Sequence, residues 1–66
     1  MDKVKLNIES VRTMMSLTRA EMAERLGINL DRYNRLASGE SKMLATELIA
    51  ISETSGLPME LIKPTP

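Results

Sequence analysis

The sequence predicts an all-α domain, a compact bundle of about five short helices with a central helix-turn-helix. Three observations lead there. Apolar residues recur at intervals of three and four rather than alternating. The three glycines and three prolines stand at or beyond the ends of these periodic segments. Asn7, Thr18 and Asn29, all residue types that cap helix starts, stand directly before them. With 66 residues the chain reads as one domain, 1–66, ending in a tail, 63–66, whose Pro64 and Pro66 cannot extend a helix.

The first helix starts after Asn7, with Ile8, Val11, Met14 and Met15 on its inner stripe and Leu17 in the following turn. Thr18 and Glu21 form a capping-box pair, which starts a second helix running from Arg19 to Leu26 with Met22, Ala23 and Leu26 inward. Gly27 closes it in the left-handed conformation, and Ile28 plugs the turn. Asn29 caps a third helix from Leu30 to about Ala37, closed by Gly39, with Tyr33, Leu36 and Ala37 as its buried positions. A fourth helix begins between Lys42 and Ala45, with Ser41 or Thr46 as its cap. It turns Leu48, Ile49 and Ile51 inward and ends at Gly56. Pro58 opens a last short helix, 58–62. Val4, Lys5 and Leu6 give the only hint of a strand.

Composition narrows the function. There is no Cys and no His, which removes disulfides, zinc and most transition-metal sites. No cofactor is expected. No apolar run approaches the roughly 20 residues of a membrane span, and no signal-peptide pattern follows the start, so a soluble, cytoplasmic protein with no membrane association is expected. Catalysis has little support: no carboxylate sits in a strongly apolar context, and a core this small offers no deep pocket. The chain reads as a non-enzyme. Nine basic and nine acidic residues give zero net charge, a mild argument against strong non-specific binding to nucleic acid. The distribution is polar, however. Residues 12–42 hold six basic and four acidic side chains, whereas beyond Met43 three glutamates face Lys63 alone.

Two short helices joined by a tight glycine turn define the helix-turn-helix. Ala23 supplies the small residue where the helices approach, Gly27 the positive φ and Ile28 the apolar plug. The stretch "TRAEMAERLGINLDRYNRLASGE", with "IESVRTMMSLT" before it and "LIAISETSGLPMELI" after it, resembles the lambda-repressor-like domains: phage repressors, Cro proteins and the bacterial regulators named for the xenobiotic response element. The resemblance covers residues 8–62. It implies a sequence-specific transcription regulator, typically a repressor, whose third helix lies in the major groove of a double-stranded DNA operator.

By the same resemblance Leu30, Asp31, Asn34 and Arg35 face the groove. Arg19 meets backbone phosphate at the start of the second helix, and Ser38 and Lys42 match further phosphate positions. Arg32 lies between the two groups. Arginine suits guanine and asparagine adenine, while an aspartate can accept from cytosine N4. Leu30 suits either a thymine methyl or an apolar contact with a partner protein. Ala37 stands where the family has a glutamate paired with the first-helix arginine, so Arg12, if partly buried, needs another acceptor such as a backbone carbonyl.

Such regulators bind as homodimers, and Leu57, Met59, Leu61 and Ile62 are the expected dimer or partner surface. The six methionines read mostly as core filler, with an adaptable contact surface as the alternative for Met43 and Met59, and Lys3 and Lys5 read as a short basic arm or a solvated terminus. The alternative function is a protein-interaction module on the same fold, an antirepressor or modulator that binds a partner repressor. A third reading makes the chain the first domain of a longer regulator, with "KPTP" opening a linker.

Overall fold

The computed structural model describes residues 5–64. Four α-helices follow one another: α1 (Ile8–Met14), α2 (Arg19–Leu26), α3 (Leu30–Ser38) and α4 (Ala45–Ser55), with a single 3₁₀ turn, Met59–Leu61, after them. The expected fifth helix is thus only a 3₁₀ turn. The chain is extended again at Ile62, where φ is −102° and ψ 124°. There Leu6 N–H donates to Leu61 O at 2.7 Å and Lys63 N–H donates to Leu6 O at 2.8 Å, forming one parallel bridge between the two ends of the described chain. The strand hint survives as that bridge at Leu6; Val4 and Lys3 lie outside the described residues.

The expected caps are present. Asn7 Oδ1 accepts from Ser10 N–H at 2.8 Å. Thr18 Oγ1 accepts from Glu21 N–H at 3.1 Å while Glu21 Oε1 accepts from Thr18 N–H at 2.8 Å, so both halves of the box are made. Asn29 Oδ1 accepts from Arg32 N–H at 2.7 Å. α4 starts at Ala45, within the expected range, but its cap follows neither expectation. Neither Ser41 nor Thr46 caps it; Leu44 occupies the cap position, and Glu47 reaches back to accept the Leu44 N–H at 2.7 Å.

The core gathers Ile8, Val11, Met22, Ala23, Leu26, Tyr33, Leu36, Met43, Ile51 and Ile62. Two apolar expectations fail for reasons of helical phase. On α1 the inner line runs through Ile8, Val11 and Met15, so Met14, one residue back from Met15, turns outward and is 62% exposed. On α4 a step of two residues, about 200° of rotation, separates Ile49 from Ile51, so burying Ile51 exposes Ile49. Met43, within the α3–α4 connection, is buried as core filler and does not serve a contact surface.

Ile62 is a further correction: it is 1% exposed and cannot serve a partner surface, because its bridge to Leu6 draws it into the core. Leu57 packs half-buried against the same core and Leu61 is likewise only partly exposed. Of the four expected partner residues, Met59 alone is largely open to solvent. Among the described residues no helix is long and apolar enough to cross a membrane.

Candidate functional site

The geometry between α2 and α3 follows from Gly27. Its φ of 73° closes α2 in the left-handed region, and the Ile28 N–H then donates back to Ala23 O at 3.0 Å. This reverses the chain within three residues and lets α3 start at once from its Asn29 cap. Tyr33 and Leu36, three residues apart, are essentially fully buried and fasten α3 against the core. The opposite side of α3 is therefore solvent-facing, and Leu30, Asp31, Asn34, Arg35 and Ser38 are all exposed on it.

An open concavity of about 550 Å³ lies on this side, between the outer face of α3 and the first turns of α1 and α2. Arg19, Asp31, Asn34, Arg35 and Ser38 line it together with Glu9, Ala37 and Glu40. Five of the eight expected contact residues thus meet on one surface. Leu30, 44% exposed, stands outside the concavity. Lys42 is exposed but also stands apart from it.

Arg32 departs from its expected place. Its Nε donates to Glu47 Oε2 at 2.8 Å, its Nη2 to Glu47 Oε1 at 2.7 Å and to Lys42 O at 3.0 Å. The guanidinium is drawn away from the outer face and joins α3 to the start of α4. Glu47 holds it there from a 6% exposed position. The hydrogen bonds from Arg32 pull the Glu47 carboxyl below its usual range, overcoming the opposing effect of burial, and the same contact raises the Arg32 guanidinium.

Both remaining arginines of the concavity face carboxylates. Arg35 Nη2 lies 3.0 Å from Asp31 Oδ2, one turn earlier on α3, with both side chains more than half exposed. Arg19 Nε lies 2.9 Å from Glu9 Oε1. Glu9 is the residue that the sequence reading missed. Its Oε2 accepts from Arg12 Nε at 2.8 Å, and Arg12 Nη1 donates to Leu17 O at 2.7 Å. The expected carbonyl acceptor for Arg12 is therefore present, and Glu9 supplies a carboxylate beside it. The signal was available in the i, i+3 spacing of Glu9 and Arg12.

Tyr33 brings its buried hydroxyl up to this cluster, near the Arg12 guanidinium. Burial and then the Glu9 carboxylate raise its pKa, with Arg12 opposing. Ser38 Oγ donates to Arg35 O at 3.2 Å, so its hydroxyl oxygen still faces solvent as an acceptor.

The face as a whole presents two cations, three carboxylates, an amide and a hydroxyl. It offers hydrogen-bond donors of the kind that suit phosphate and base edges. Among the described residues, no cluster of three potential metal-binding side chains accompanies it. The chain matches no protein-family model, no curated protein and no solved structure.

Proposed function

We propose that this protein is a DNA-binding regulator of the lambda-repressor-like kind, with α3 entering the major groove and the start of α2 meeting phosphate. One observation carries the reading: Arg19 of α2 and Asn34 and Arg35 of α3 line a single concave face, while Tyr33 and Leu36 anchor α3 rigidly behind them. Base readout requires that combination of a fixed helix and outward donors. Arg35 donates to guanine O6 and N7, Asn34 pairs with an adenine edge, and Leu30 packs on a thymine methyl. Arg19, Ser38 and Lys42 contact phosphates. Homodimer formation on two half-sites draws on Met59 with the partly exposed Leu57 and Leu61.

Selection from a random duplex pool at low and moderate salt tests the reading. An enriched site is expected, with affinity falling as salt rises. Arg35→Ala then relaxes base preference at one position, whereas Arg19→Ala weakens all sequences evenly. No enrichment at either salt would overturn the proposal.

A specific observation favours a second reading. Both arginines of the face already have carboxylate neighbours, and Leu30 presents an exposed apolar side chain beside them. A near-neutral surface with an apolar edge suits a protein partner, such as another repressor, better than a polyanion. Under this reading the random pool yields no enriched site.

A further inference from the structure

The DNA reading leaves unexplained why a carboxylate should stand against the arginine assigned to phosphate. Glu9 has a divided role. Its Oε2 is fixed by two contacts from Arg12, Nε at 2.8 Å and Nη2 at 2.7 Å. Arg12 is itself tied to Leu17 O, which ties the carboxylate to the end of α1. Its Oε1 is buried and close to Arg19 Nε, yet makes no hydrogen bond. Arg19 is attracted by charge but keeps its N–H donors uncommitted among the described residues, and its side chain is 58% exposed. The arrangement is a 2.9 Å ion pair without an aligned hydrogen bond, on a carboxylate that Arg12 also holds, and Glu9 and Arg19 both line the concavity.

We propose that Glu9 is an affinity-limiting residue for DNA, acting through Arg19: its fixed carboxylate competes with a backbone phosphate for the Arg19 guanidinium. This rests on the DNA reading above. A phosphate takes up the free N–H donors of Arg19, but Glu9 remains in place behind them and still holds part of the charge. The contact therefore releases less than a full counterion's worth of free energy. Binding is then weighted toward the base contacts of Asn34 and Arg35, and discrimination between sites increases relative to total affinity. The zero net charge of the chain accords with a binder whose non-specific term is held low.

The test measures binding of a generic duplex by wild type, Glu9→Gln, Arg19→Ala and the double variant, across a salt series. Exposed ion pairs are worth up to about 1 kcal/mol, so Glu9→Gln is expected to tighten binding roughly two- to fivefold at low salt. The slope of log affinity against log salt steepens by up to about 0.9. In the Arg19→Ala background the Glu9→Gln gain falls below about twofold. Glu53→Gln, the same charge change on α4, separates a general charge effect.

A Glu9→Gln gain that persists without Arg19, or that Glu53→Gln reproduces, overturns the proposal. Weakened or unchanged binding in Glu9→Gln also overturns it, since the carboxylate would then position Arg19 or do nothing. If no form of the protein binds DNA, the DNA reading itself fails and this inference falls with it. Should Glu9→Gln not fold, nitrogen-proton NMR of the wild type decides. The Arg19 Nε–H should exchange rapidly in the free protein and slow on adding duplex, while Arg12 Nε–H is protected throughout. Protection of Arg19 before DNA is added contradicts the proposal.

Discussion

Arg32 and Glu47 form a two-point ion pair between the first turn of α3 and the first turn of α4, with both donor–acceptor distances below 2.9 Å. Three functions converge on it. Glu47 also accepts the Leu44 N–H that opens α4, and Arg32 also donates to Lys42 O in the connection between the helices. The pair thus ties the 39–44 connection across the starts of α3 and α4. It shapes the candidate face without being part of it.

Replacing Glu47 by Gln is expected to cost about 2 kcal/mol at neutral pH, since a nearly buried acceptor of charged hydrogen bonds loses its charge. For a domain of this size that lowers Tm by roughly 8–16 °C. It is a large share of the stability expected of a short domain. The pH dependence carries a sign. The folded Glu47 carboxyl lies below its ordinary value, chiefly through the Arg32 hydrogen bonds. Its contribution is complete above the ordinary glutamate range near ~4.3 and is lost as pH falls through the lower folded value. Thermal melts of wild type and variant should converge below that range. A gap at pH 3 as wide as at pH 7 would show that the charge of Glu47 is not what stabilises the fold.

The two halves of the Thr18–Glu21 box, at 3.1 and 2.8 Å, make the start of α2 an independently testable element. Thr18→Ala removes the acceptor for the Glu21 N–H and is expected to cost about 1 kcal/mol. Thr18→Asn should recover most of that, because asparagine caps as well as threonine. Chemical denaturation checks both. Equal losses for Ala and Asn would mean that Thr18 acts by packing rather than by capping.

Ser16 holds a φ of 56°, the only non-glycine residue in the left-handed region among those described. That conformation costs a side-chain-bearing residue roughly 1–2 kcal/mol, partly offset in a glycine by roughly 0.5–1 kcal/mol of extra unfolded-state entropy. Ser16→Gly is therefore expected to raise stability by up to about 1 kcal/mol. Gly27→Ala should lower it by up to about 1 kcal/mol once the same offset is applied. A Cβ at Gly27 meets no atom within 4 Å, so the loss comes from backbone strain and not from a clash. Denaturant midpoints for the two variants moving in the same direction would contradict this account.

Helix boundaries were most legible where a side chain marks them. Asn7, Thr18 and Asn29 cap α1 to α3 as expected, and Gly27, Gly39 and Gly56 end α2 to α4 in the left-handed conformation. The α4 cap was illegible because its signal lies inside the helix, in Glu47, and not at the cap residue. Phase was harder than existence. Met14 and Ile49 are apolar within helices yet face solvent, because burial of Met15 and Ile51 settles the rotation. Ile62 looked like a surface residue because nothing local foretells its bridge to Leu6 across the whole chain. At the candidate face the buried side of α3, Tyr33 and Leu36, followed from periodicity, and the resemblance pointed to the exposed residues opposite it. The withdrawal of Arg32 and the entry of Glu9 are tertiary contacts, which local spacing only hints at.

Leu30 offers the sharpest distinction between the two functional readings. It is 44% exposed at the first position of α3, beside Asp31 and the concavity. Its replacement by lysine removes little buried area, so stability should change by no more than about 0.5 kcal/mol. If α3 enters a groove, the added cation draws phosphate: affinity for generic duplex rises, the salt slope steepens by up to about 0.9, and preference for thymine at one position disappears. If α3 docks on a protein, an ammonium placed in an apolar contact must be desolvated without a partner. The complex is then lost while DNA affinity stays negligible. Duplex titrations at two salt concentrations, with a thermal melt as control, separate the cases. A Leu30→Lys protein that keeps its stability and binds a partner as wild type does would remove α3 from the partner interface.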